Sequence, residues 1–135
     1  MTLCDTGPLI ALLDRKQARH TDCRRVLPSL SAPLVTTWPC FAEAMYLLGR
    51  NLGYPAQDAL WQYVADELLA IHRQSEQEGL RMRALMAAYR DAPMDLADAS
   101  VVVAAETLGL RQVFTLDRHF YAYRLADGAA FEVVP

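Results

Sequence analysis

Thr2-Leu3-Cys4-Asp5-Thr6-Gly7-Pro8-Leu9-Ile10-Ala11-Leu12-Leu13-Asp14 begins as a short apolar run that closes on an acid, then passes through Gly7-Pro8 into apolar residues at helical spacing. Thr2 to Asp5 reads as a strand. Pro8 lacks a backbone N–H and has its φ preset, which suits the opening of a helix carrying Leu9, Ile10, Leu12 and Leu13. A strand that turns through an acid into a helix is the start of a βαβ unit, and the rest of the chain repeats the alternation. Strands are expected at Pro33 to Thr37, Leu68 to His72, Gln112 to Leu116 and Phe131 to Val134. Helices are expected from about Thr21 to Leu27, from Pro39 to a stop at Gly53, and from Pro55 to about Glu67. Two more should run from the Ser75-Glu76-Gln77-Glu78 capping box to Tyr89 and from an Asp95 N-cap to Gly109. Strands separated by helices imply a parallel sheet covered on both faces, with ligands bound beyond the carboxyl ends of the strands.

Four carboxylates fall where such a chain leaves a strand or begins a helix: Asp5, Glu43, Asp98 and Asp117. Asp98 is the most telling alone. Val101, Val102 and Ala105 follow it at three, four and seven positions, so it shares an apolar helix face. A carboxylate there needs a partner, whether a neighbouring backbone that it caps or a ligand. Asp95, one turn earlier, reads first as an N-cap, and Asp5 and Asp117 are each equally read as cap or turn residues. Glu43 lies off the apolar stripe of Phe41, Ala44, Met45, Leu48 and Leu52, in the first turn of its helix. Clustered carboxylates repel one another unless they hold protons or a cation. Oxygen donors without a Cys/His set favour Mg²⁺ or Mn²⁺ over zinc.

The bulk properties bound the rest. With 135 residues, 53% of them hydrophobic, the chain (1–135) is expected to be one domain around one core. No run is long enough to span a bilayer, and Asp5 interrupts any leader-like start, so a cytoplasmic protein is expected. Cys4, Cys23 and Cys40 are odd in number and lack metal-ligand spacing, as reduced, packed thiols would. A net charge of −3 does not advertise a nucleic-acid partner, but it includes the acid cluster, and the basic residues are all Arg except Lys16. Arg is the better phosphate fork, although GC-rich coding accounts for the same bias. Arg118, beside Asp117, orients substrate or pairs with an acid with equal plausibility. His119 lies in an aromatic run with Phe120, Tyr121 and Tyr123, where packing or solvent contact is the ordinary role. Leu60, Trp61 and Val64 are expected to face inward, and Met82, Leu85, Met86 and Tyr89 form a stripe suited to core or dimer surface.

Taken together, residues 3–14, the Glu43 helix, Tyr89 to Ala99 and Thr115 to Phe120 resemble the PIN domain, in particular the toxin of a VapBC-type toxin–antitoxin pair. The resemblance covers nearly the whole chain. It implies an α/β/α sandwich with a parallel sheet of order 3-2-1-4-5, and an acidic site made of Asp5, Glu43, Asp98 and Asp117. Thr6, Asp95, Thr115 and Arg118 would support that site or the substrate. It further implies an endoribonuclease dependent on Mg²⁺ or Mn²⁺ that hydrolyses RNA phosphodiesters by metal-activated water, a homodimer, and a cognate antitoxin. Where many relatives carry a further acid shortly after the Asp117 position, this chain has His119. Leu47, Leu48, Leu60 and Trp61 offer the apolar surface expected for pairing. The rivals are a receiver-like phosphoacceptor, which wants a Lys that Lys16 is too early to supply, and a catalytically idle PIN-like interaction module.

Overall fold

The computed structural model describes residues 1–135. Five short strands, β1 (Thr2–Cys4), β2 (Leu34–Thr37), β3 (Leu69–His72), β4 (Gln112–Phe114) and β5 (Glu132–Val134), form one sheet. Its order is β3-β2-β1-β4-β5, and every pair is parallel. The expected order is therefore observed. Between the strands lie α1 (Thr6–Leu13), α2 (His20–Val26), α3 (Trp38–Leu52), α4 (Tyr54–Ala65), α5 (Glu76–Ala88) and α6 (Leu96–Leu108), with 3₁₀ turns at Leu27–Ser29 and Arg118–Tyr121.

Alternation along the strands divides the interior into two layers. Cys4 and Phe114 pack with Leu9, Leu12, Cys23, Phe41, Leu48 and Leu60 on the face covered by α1 to α4. Their chain neighbours Leu3 and Val113 point the other way, to Val101, Val102, Leu85, Phe120 and Tyr123 beneath α5 and α6. Helix α6 is buried continuously from Ala97 to Ala105 because strands, α3 and α5 surround it, which explains a sequence with almost no polar side.

The ends of the helices follow local chemistry. Ser75 and Glu78 close a reciprocal capping box on α5. Gly109 ends α6 at φ 67°, left-handed backbone that a residue with Cβ adopts at a cost. Gly53, at φ 84°, ends α3 and at once begins α4.

Several expectations need correction. Leu48 and Leu60 have no exposed surface, so they belong to the protein's own core and cannot form a dimer face. Trp61, expected inside, is 48% exposed because Phe41 and Leu60 already fill the space beneath α4; it packs its ring edge on Phe41, with centroids 4.8 Å apart. Leu52 is likewise exposed. Trp38 begins α3, which moves Glu43 from the first turn into the second. The Leu68 to His72 segment, apolar enough to read as a buried strand, forms β3 at the sheet edge and is only partly buried. The three cysteines are free and buried, as expected. No helix is long and apolar enough to cross a membrane.

Candidate active site

The parallel topology brings the ends of β1 and β4 beside the beginnings of α1, α3 and α6, and a cleft of about 290 Å³ opens there. Asp5, Thr6, Glu43, Asp95, Asp98 and Asp117 all line it, together with Gly7, Ile10, Leu47, Ala97 and Leu116. Five acids from four distant segments of the chain thus share one opening.

Asp5 leaves β1 as the N-cap of α1. Its Oδ1 accepts from the Thr6 amide at 2.8 Å, and its Oδ2 accepts from the Thr115 hydroxyl, also at 2.8 Å. Thr115 sits behind the cleft. Its oxygen in turn accepts from the Asp117 amide at 3.0 Å, so one hydroxyl sets the spacing of the acids that follow β1 and β4. Asp117 caps the 3₁₀ turn that follows, accepting from the His119 amide at 2.9 Å, while the His119 ring Nδ1 lies 2.8 Å from the same oxygen. On α3, Glu43 is exposed and tethered by the Thr6 hydroxyl, 3.2 Å from its Oε2.

Asp95 is the N-cap of α6, accepting from the Asp98 amide at 2.8 Å. Asp98 itself is buried, and its Oδ2 accepts from the hydroxyl of Tyr123 at 2.9 Å. Behind it, Ser100 donates to the Ala97 carbonyl at 2.6 Å and meets the Thr37 hydroxyl, also at 2.6 Å. Thr37 is the N-cap of α3, so this relay ties the helix bearing Glu43 to the helix bearing Asp98.

The electrostatic consequences are one-sided. Burial, reinforced by the charges of Asp95, Asp5 and Asp117, pushes the Asp98 carboxyl up to about 7 against the opposing hydrogen bond from Tyr123. Asp5 is also raised by burial, with Asp117 adding to the effect, while bonds from Thr115, Thr6 and Cys40 hold it down. Burial and the neighbouring Asp98 raise the Tyr123 hydroxyl, which keeps it a donor. Cys40, with its sulfur 3.6 Å from Asp5 Oδ1, is pushed up to about 12 by burial and by the Asp5 charge, so it stays a neutral thiol. No three of the His, Cys, Asp and Glu side chains close tightly enough on one point to enclose an ion as they stand.

The capping and site readings of the acids turn out to be compatible. Asp5, Asp95 and Asp117 each cap a helix or turn and also face the cleft. Arg118 does not line it and stands on the adjoining lip. The sequence reading missed Tyr123, Cys40 and Ser100. Cys40 lies one helical turn before Glu43, a usable signal. Tyr123 follows a 3₁₀ turn with no periodicity to predict its direction, and nothing in the sequence marks it as the partner of Asp98.

No family model matches the chain. It is 29% identical over 134 residues to ribonuclease VapC26 of Mycobacterium tuberculosis (strain ATCC 25618 / H37Rv), an alignment covering 98% of this chain and 99% of that protein. Among solved structures, M. tuberculosis VapC20, a sarcin–ricin loop cleaving toxin, superposes with a TM-score of 0.87 at 19% identity over 100% of both chains. The fold is that of VapC20. A toxin–antitoxin complex from Klebsiella pneumoniae gives a TM-score of 0.70 at 21% identity, covering 100% of this chain and 97% of that one.

Proposed function

We propose that this VapC-like chain is a metal-dependent endoribonuclease and the toxin of a toxin–antitoxin pair. The carrying observation is the convergence of Asp5, Glu43, Asp98 and Asp117 on one cleft, where burial, reinforced by the charges of Asp95, Asp5 and Asp117, raises Asp98 to about 7. An acid raised this far at a strand-end cleft is a functional-site signature. The full-length similarity to a protein named as a ribonuclease, and the fold shared with VapC20, supply the substrate class.

The donor set fits a hard cation. It is all carboxylate and hydroxyl oxygen, and a cleft without a closed cage suits Mg²⁺, which keeps several of its waters and binds through a few carboxylates. Asp5, Asp98 and Asp117 would hold the ion, with Glu43 completing the set. Such an ion supplies charge neutralisation at the phosphoryl oxygens and lowers the pKa of water.

The chain's own residues do the rest. Thr115 and the Thr6 amide fix the Asp5 carboxylate in place, and the Thr6 hydroxyl holds Glu43 toward the cleft. Tyr123 occupies one oxygen of Asp98 and thereby favours its ionised form at neutral pH. The cognate antitoxin closes the cleft with a basic side chain, Arg being the strongest carboxylate fork. A second copy pairs with the chain through the exposed aromatics of α3 and α4, namely Trp38, Tyr46, Tyr54 and Trp61.

The rival is a module that keeps the cleft but performs no chemistry. Cleavage of single-stranded RNA in Mn²⁺, its loss in EDTA, and its loss in Asp5→Ala separate the two. A folded wild-type protein that leaves RNA intact in Mn²⁺ would establish the idle module.

A further inference from the structure

Beside the acidic cleft, and sharing Leu116 and Asp117 with it, lies a second cavity of about 230 Å³. Its wall is built from Arg19 at the start of α2, Thr115 to Arg118 after β4, Tyr121 at the end of the 3₁₀ turn, and Val133 and Pro135. The cavity has room for one nucleotide unit rather than an extended ligand. Its chemistry differs from the cleft's, since beside the shared Asp117 carboxylate it sets two guanidinium groups and a phenol ring, where the cleft sets five carboxylates.

Arg118 and Tyr121 on this lip are unspent, while Arg19 is partly committed. Arg118 is exposed and makes no ion pair, whereas Arg25, Arg81 and Arg111 are each committed to an acid. Arg19 is bound to Asp22 at 2.8 Å but keeps half of its side-chain surface open. Tyr121 is 61% exposed, and no aromatic ring of the chain stacks on it, although Tyr123, Phe120 and His119 nearby are all engaged with one another. Its backbone is nevertheless fixed, because the Arg124 guanidinium donates to the carbonyls of Tyr121 and Tyr123 at 2.8 and 2.9 Å. A rigidly mounted, exposed ring beside a free guanidinium group is how proteins bind single-stranded nucleic acid, with bases stacked on aromatics and phosphates on Arg. The acidic cleft by itself repels a polyanion, so productive approach needs a cationic lip at its edge.

We infer that Arg19, Arg118 and Tyr121 form a subsite for one nucleotide of single-stranded RNA next to the scissile phosphodiester, with its base on the Tyr121 ring and its phosphate on Arg118 and Arg19. This rests on the nuclease reading for the position of the scissile bond, but its test does not depend on cleavage.

The test is fluorescence anisotropy with a short labelled single-stranded RNA in an Asp98→Asn background, which keeps the RNA intact, supplemented with Mn²⁺. Tyr121→Ala raises Kd about tenfold while Tyr121→Phe stays within about twofold, since stacking needs the ring and not the hydroxyl. Arg118→Ala lowers the slope of log K against log salt by about 0.7, the value for one phosphate contact to a single strand. In a scan of single abasic sites, one position weakens binding to the parent but not to Tyr121→Ala, which a general loss of structure cannot produce. Unchanged binding by Tyr121→Ala, identical abasic profiles for the two proteins, or no RNA binding by the parent would overturn the subsite. If the abasic coupling is found but the wild type never cleaves RNA, the nuclease reading fails and the subsite stands. If cleavage is seen without the coupling, the reverse holds.

Discussion

Replacing Asp98 by Asn should stabilise the metal-free protein, and the gain should depend on pH. The carboxyl is buried, faces Asp95, Asp5 and Asp117, and sits at about 7 against the ordinary 3.8. A pKa raised on folding means that the folded state holds the proton more tightly than the unfolded chain. Its contribution to stability is therefore complete below about pH 4 and is lost as pH rises through 7. A gap of about three units corresponds to about 4 kcal/mol at the limit. Because the carboxyl borders an open cleft that water reaches, about half of that, ~2 kcal/mol, is the reasonable expectation. Asn keeps the shape and can still accept from the Tyr123 hydroxyl, but it carries no charge. In EDTA at pH 8, Asp98→Asn should thus melt about 6 °C above wild type, and the difference should shrink toward zero as pH falls to 4. In Mn²⁺ the order should reverse, since an ion present at a hundred times its Kd contributes about 2.7 kcal/mol to the protein that binds it. Circular-dichroism melts over a pH series, with and without metal, measure both. Equal melting temperatures at pH 8 in EDTA, or the same deficit for Asp98→Asn at every pH, would refute the idea that the empty cleft traps like charges.

Asp5→Ala and Asp117→Ala should each abolish RNA cleavage in a gel assay while leaving a cooperative thermal transition, because both remove a charge from a crowded cleft; Arg118→Ala should retain cleavage at a raised KM. Tyr123→Phe should cost about 1 kcal/mol of stability in urea titrations. In EDTA it should also move the pH dependence of stability that Asp98 causes to higher pH, because the Tyr123 bond is what lowers the Asp98 pKa. Expression of the wild type alone should arrest growth and Asp5→Ala should relieve the arrest, read as colony counts. Trp61→Ala should leave unfolding stability within about 1 kcal/mol of wild type, given its exposure, and should weaken self-association in sedimentation.

The elements that the sequence made legible are those with a local cause. The capping box at Ser75 and Glu78, the Asp95 cap and the Gly109 stop each act within one helical turn, and each is found where local chemistry requires it. The acidic residues of the cleft were visible for the same reason, since the junction of strand and helix is itself a local pattern. Contacts between distant segments left no such trace. Tyr123 meets Asp98 across 25 positions and Thr115 meets Asp5 across 110. Trp61 and Leu60 are neighbours on α4 with opposite burial, and helical spacing alone could not say which of them Phe41 and α3 would leave room for. The apolar residues Leu48 and Leu60 looked surplus because a list of side chains does not reveal how much of its own interior a chain must fill.

The hydroxyl relay from Thr37 through Ser100 to the Ala97 carbonyl, and the Thr115 bond to Asp5, give the cleft a frame of fixed lengths. Apolar contacts tolerate sliding by fractions of an ångström, whereas a hydrogen bond near 2.6 Å does not. Volume-conserving exchanges such as Leu for Met in the two apolar layers should therefore leave the spans between its acids unchanged. Removing a single buried oxygen, as in Ser100→Ala, would leave a folded protein whose carboxylates no longer keep their distances.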